Sequence, residues 1–131
     1  MRIAELLRRR EPFLSLEFFP PKDRAQWPVF FDVVRELKVL APVFCSVTYG
    51  AGGSTRHNTL EIAARLKQKY MLEPLLHLTC VGAHRTGLSS FLEDVADSGC
   101  ENILALRGDP PRGQTTFLPD SEDYSDRKSV V

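Results

Sequence analysis

Neither sign of charge is in excess in this sequence. Lysine plus arginine number 17, aspartate plus glutamate number 17, and the formal net charge is zero. That balance removes the electrostatic case for nucleic acid or an anionic membrane surface as a partner. Long hydrophobic runs are missing too, and no stretch approaches the roughly 20 apolar residues that span a bilayer. Cysteine is sparse: Cys45, Cys80 and Cys100 are odd in number and far apart. There is no Cys-x-x-Cys pair, and His57, His77 and His84 share no ligand spacing with the cysteines, so no metal site is predicted. Each cysteine lies in or beside an apolar segment, which points to buried, reduced thiols in a cytoplasmic protein. The basic start resembles a transit peptide only until Glu5 and Glu11, because such segments avoid acidic residues. Ile3, Leu6 and Leu7 share a helical face there, so a short leading helix with a solvated basic end is predicted.

What is present is the composition of one globular domain, with 131 residues, 43% hydrophobic and 26% charged. Residues 13–19 read as a first strand, ended by Pro20 and Pro21. Trp27, Phe30, Phe31, Val34, Leu37 and Leu40 recur at helical spacing over residues 26–40. Pro28 suits the first turn of that helix, where its missing N–H costs nothing. Residues 43–48 form a second strand, and a glycine-rich loop from Tyr49 to Ser54 leads into a helix over 55–70. A third strand at 75–79 and a helix at 86–97 follow, with Gly99 marking the helix end. Ile103 to Leu106 is a fourth, short apolar strand. Strand and helix alternate three times before that last strand, which predicts a parallel α/β sheet with right-handed crossovers.

Alternate residues of a strand share a face. Ser15 and Glu17, Ser46 and Thr48, His77 and Thr79, and Ala105 and Arg107 make a small or polar set. Leu14, Leu16 and Phe18, Cys45 and Val47, Leu76 and Leu78, and Leu104 and Leu106 make an apolar set suited to packing under helices. A sheet polar on one face only fits the inside of a β/α barrel, whose active site lies at the carboxyl ends of the strands. A doubly wound sheet is more often apolar on both faces. At the end of the fourth strand, Arg107, Gly108 and Asp109 place a cation, a joint and a carboxylate before Pro110 and Pro111. An ordinary turn explains that stretch equally well when it is read alone.

Four segments, in order on four successive strands, resemble the methylenetetrahydrofolate reductase family of flavin enzymes. They are Ser15-Leu16-Glu17-Phe18-Phe19-Pro20-Pro21-Lys22, Ser46-Val47-Thr48-Tyr49-Gly50-Ala51, His77-Leu78-Thr79-Cys80, and Asn102 through Pro111. The resemblance implies the (β/α)8 TIM-barrel fold, FAD as cofactor, and NADH or NADPH as hydride donor. It also implies reduction of 5,10-methylenetetrahydrofolate to 5-methyltetrahydrofolate, a step of one-carbon metabolism that feeds methionine synthesis. By position, Glu17 corresponds to the family's general acid, and Thr48, Tyr49 and His77 to flavin contacts. Arg107, Gly108 and Asp109 correspond to the loop that meets the flavin, Asp109 also to a catalytic carboxylate that binds the folate's pterin ring. Without the motif, Glu17 reads equally as a capped or salt-bridged strand-end glutamate, and His77 as a satisfied core histidine. Gly50 to Gly53 fit a plain loop as well as a phosphate cradle, since the spacing of a dinucleotide fingerprint is missing. No lysine stands at a strand end to form a Schiff base, Lys22 lying beyond two prolines, so an aldolase-type lyase is disfavoured.

An eight-stranded barrel takes about 250 residues. This sequence supplies four strands and three full helices, a half-barrel over residues 1–119 with a polar, truncated tail at 120–131. An open half-barrel has two unpaired strand edges and one uncovered face. The expected partners, besides the folate substrate, are therefore a second copy of the chain or a complementary half-barrel. A truncated, catalytically incompetent fragment or assembly subunit is the other outcome. Thermal melting of the purified chain is accordingly expected to depend on concentration; a well-folded monomer whose melting ignores concentration would contradict this.

Overall fold

The computed structural model describes residues 1–9, 11–48, 56–79 and 84–106. Strands and helices alternate along them in the predicted order: α1 (Ile3–Arg8), β1 (Ser15–Phe18), α2 (Trp27–Leu37), β2 (Phe44–Val47), α3 (Arg56–Tyr70), β3 (Pro74–Thr79), α4 (Arg85–Asp97) and β4 (Ile103–Leu106). The four strands form one parallel sheet in the order β1-β2-β3-β4. This is an α/β half-fold. Among the described residues, β1 and β4 are its edges.

Local chemistry accounts for most of the boundaries. The Asp23 side chain accepts a hydrogen bond from the Ala25 backbone N–H at 2.9 Å and starts a single 3-10 turn that runs into α2. Pro28 occupies the first turn of α2, as its spacing predicted. The helix buries Trp27, Phe31 and Val34 at intervals of four and three residues. It then tightens into a 3-10 turn over Lys38–Leu40 and is closed by Ala41 in the left-handed region, at φ 50°. Gly99 follows α4 at φ 78°, a conformation that glycine adopts without strain.

The helices share one core. Phe31 and Val34 of α2, Ile62, Ala63 and Leu66 of α3, and Leu88, Phe91 and Val95 of α4 pack against Phe18, Cys45, Val47, Leu76 and Leu78 of the sheet. Phe31 also stacks face to face on Tyr70, with ring centroids 5.3 Å apart. These strand residues are those predicted to face the helices. The opposite face is polar toward the strand carboxyl ends, where Glu17, Ser46 and His77 lie. Toward the amino ends it is apolar, with Phe13 and Phe44 tilted together at a centroid distance of 5.7 Å.

Strand β4 departs from the expected parity. Its register pairs Leu76 with Ile103, His77 with Leu104, Leu78 with Ala105 and Thr79 with Leu106. Parallel partners point to the same side, so Ile103 and Ala105 face the helices while Leu104 and Leu106 join His77 and Thr79. Exposure agrees: Ile103 packs on the core, whereas Leu104 and Leu106 are 39% and 37% exposed. The physical reason is that Ile-Leu-Ala-Leu has no polar member to declare a face, so the ladder with β3 decides it.

The amino end of the sheet is closed by α1. Asn102, just before β4, is buried and accepts the Ile3 backbone N–H at 2.9 Å through its Oδ1. Its Nδ2 donates to the Met1 carbonyl at 2.8 Å and to Glu73 Oε1 at 3.0 Å. Lys67 Nζ lies 3.3 Å from the same carboxylate oxygen. Because α1 is held at its first turn, only Ile3 of its predicted apolar face is buried, and Leu7 is exposed.

Cys45 and Cys100 are buried free thiols, as predicted, while Cys80 falls outside the described residues. Burial, with a smaller contribution from the Glu73 carboxylate, pushes the Cys45 thiol up to about 12. Cys45 and Cys100 are therefore expected to escape alkylation at pH 8 in the native chain and to react fully in denaturant, as read by peptide mass mapping. Rapid native labelling of Cys45 would contradict this core.

Candidate active site at the strand ends

Parallel pairing sets Glu17 of β1 directly beside Ser46 of β2, and Ser46 beside Leu75 of β3. His77 is two residues beyond Leu75 and so stands on the same face, one step nearer the carboxyl end. The three side chains meet at a single atom. Ser46 Oγ donates a hydrogen bond to Glu17 Oε2 at 2.9 Å. His77 Nε2 lies 3.6 Å from the same oxygen, a distance at which a charged imidazole would pair with the carboxylate. The Glu17 side chain is 48% exposed and the His77 side chain 14%, so the carboxyl faces open space while the imidazole is sunk in the sheet.

Thr48 follows β2, its backbone N–H bonded to the Phe18 carbonyl at 3.0 Å, which prolongs the ladder by one step beside Glu17. Its side chain is half-buried on the same face. The structure thus brings together two of the sequence-predicted site residues, Glu17 and His77, and sets Thr48 on the same face two residues beyond Ser46. Tyr49, Arg107, Gly108 and Asp109 lie outside the described residues.

Ser46 is the member of this cluster to which no role was predicted. Parity had placed it in the polar set, but its partner depends on the register of β1 against β2. Once Glu17 and Ser46 are paired, a buried hydroxyl beside a strand-end carboxyl has one obvious acceptor.

Chemically, the face offers a carboxyl with one oxygen engaged and the other, Oε1, without a partner among the described residues. It also offers the Thr48 and Thr79 hydroxyls and the His77 Nδ1, likewise unpartnered among those residues. Such groups suit proton delivery and hydrogen bonding to the polar edge of a flat heterocycle. The opposite, helical side carries a cavity of about 440 Å³ between α2 and α3, lined by Arg24, Trp27, Phe31, Arg65 and Lys69. Its arginines are engaged internally. Arg24 and Arg65 lie over the Trp27 ring and bridge to Glu61 at 2.6 and 2.8 Å.

Over residues 2–131 the chain matches the family model described as methylenetetrahydrofolate reductase. It is 39% identical over 117 residues to methylenetetrahydrofolate reductase (NADH) 1 of Arabidopsis thaliana, a match covering 89% of this chain and 20% of that protein. It is 38% identical over 100 residues to the 5,10-methylenetetrahydrofolate reductase of Escherichia coli, covering 76% of this chain and 34% of that protein. With methylenetetrahydrofolate reductase 2 of Schizosaccharomyces pombe it shares 36% identity over 115 residues, 85% of this chain and 18% of that protein. The chain therefore spans between about a fifth and a third of the length of these relatives.

Because Glu17 is half exposed on an edge strand, its replacement is expected to disturb function rather than folding. Glu17→Gln should change stability by less than about 1 kcal/mol in urea unfolding. A loss of several times that size would mark Glu17 as a structural strut.

Proposed function

The chain belongs to the methylenetetrahydrofolate reductase family, and on that premise we propose that residues 1–119 form the first half of a (β/α)8 reductase barrel. The reaction is reduction of 5,10-methylenetetrahydrofolate to 5-methyltetrahydrofolate with NADH or NADPH, in the cytoplasm, with FAD as cofactor. The observation that carries this reading is the meeting of Glu17, Ser46 and His77 on the open face at the strand carboxyl ends. That is where β/α barrels place their chemistry.

The residues present fit the cofactor. The hydroxyls of Thr48 and Thr79, unpartnered among the described residues, and the sunken His77 ring offer donors and acceptors to a planar ring system, and the one carboxyl on the described part of that face, Glu17, is the proposed proton donor. Thr48, Tyr49 and His77 would hold the flavin, and Arg107, Gly108 and Asp109, which follow β4 in the sequence, would contact it as well. FAD, when bound, supplies the redox chemistry that links the dinucleotide to the folate. Glu17 donates a proton to a folate nitrogen as the one-carbon bridge opens. Asp109 holds the pterin ring.

The open face also needs a cover. Phe13, Leu104 and Leu106 are exposed on it, and among the described residues no strand pairs with the outer edges of β1 and β4. A second half-barrel, from further chain, from a complementary protein or from another copy, satisfies both needs. A chain without such a partner is the catalytically incompetent alternative.

Co-expression with the remaining part of the Escherichia coli relative tests the reading. The pair is expected to co-purify, to oxidise NADH with added FAD and to reduce the folate. Glu17→Gln in that pair should lower folate reduction by about 100-fold or more while leaving NADH oxidation unchanged. A co-purifying pair that carries out neither step would overturn the assignment.

A further inference from the structure

Both close neighbours of Glu17 approach the same oxygen, and one of them donates to it. Ser46 Oγ is 2.9 Å from Oε2 and His77 Nε2 is 3.6 Å from it, while Oε1 has no partner among the described residues. Ser46 is only 7% exposed and sits mid-strand in β2, whose four residues are all buried. Its hydroxyl is therefore held by a rigid element, whereas the Glu17 side chain stands half in the open on an edge strand. A free glutamate side chain samples several rotamers, and fixing it requires a partner that is itself fixed.

We infer that Ser46 is the positioning residue of Glu17: it anchors Oε2 and so selects Oε1 as the oxygen that carries and delivers the proton. This rests on the reductase reading for the identity of the proton acceptor. In the step, the proton leaves Oε1 for one bridge nitrogen of the folate. The carbon–nitrogen bond to that nitrogen breaks with its electron pair staying on nitrogen. The remaining nitrogen and the bridging carbon become an iminium, and the carboxylate left behind keeps its Ser46 hydrogen bond. An anchored Oε2 stabilises that carboxylate in place, ready to be recharged on the same oxygen.

The test needs no cofactor or substrate. In the purified chain labelled with ¹³C-glutamate, with the Glu17 resonance identified by its loss in Glu17→Gln, two signatures are read by NMR. One is the H₂O/D₂O isotope shift on the Glu17 carboxyl carbon, which reports a donated hydroxyl proton. The other is the set of side-chain couplings, which distinguish one rotamer from an average. The wild-type chain is expected to show the isotope shift and single-rotamer couplings. Ser46→Ala should lose both, and Ser46→Thr, which keeps the hydroxyl, should retain the isotope shift. Should the alanine variant fail to fold, the wild type and the threonine variant still decide. No isotope shift in either, or averaged couplings in the wild type, overturns the proposal, as does a folded Ser46→Ala that keeps both signatures. Absent flavin binding with both signatures intact would instead count against the reductase reading alone.

Discussion

The register of β1 on β2 is the constraint on which the rest of this molecule depends. Glu17 pairs with Ser46 and Phe18 with Val47, and because side chains alternate, that choice assigns every residue of both strands to a face. Val47, Cys45, Leu76 and Leu78 then lie under the helices in a shared core. Glu17, Ser46 and His77 must consequently meet on the other side. A slip of one residue would turn Glu17 into the helix-packed core and expose Phe18, at a cost set by burying an unpaired carboxylate. The same apolar burial that stabilises the sheet thus aims the site.

A second constraint works from the opposite end. Asn102 ties the first turn of α1 to the amino ends of β3 and β4 through bonds to Ile3, Met1 and Glu73. The bonds to Ile3 and Met1 join residues nearly the whole described length apart, so the docking of α1 depends on the placement of β4. Losing a buried amide that serves three partners leaves several groups unsatisfied at once, which is why an asparagine is used where a smaller polar residue would reach fewer. Among the described residues, the carboxyl end of the chemistry-bearing face carries the Ser46–Glu17 hydrogen bond, with His77 beside it.

Much of this was legible in the sequence. Trp27, Phe31 and Val34 at helical spacing, Pro28 in the first turn, Gly99 after α4 and the two prolines after Phe19 announced their elements directly. Residues 103–106 were recognisable as a strand by apolarity alone, but that same uniformity hid their parity, which only the ladder with β3 supplies. Leu7 read as part of an apolar helical face and is exposed, since periodicity describes a helix but not how much of it meets a neighbour. Glu17, Thr48 and His77 could be singled out from motifs on separate strands. The tie between Ser46 and Glu17 could not, because a hydrogen bond across strands depends on register, and register is a property of the assembled sheet.

Sedimentation velocity of the chain with FAD, followed at the visible flavin band, tests the central claim most directly: that the polar strand-end face is a flavin site completed by a second half-barrel. Flavin absorbance is expected to travel with a species heavier than one chain. A folded monomer sedimenting alone, with all the flavin absorbance left behind at the rate of free FAD, would contradict it.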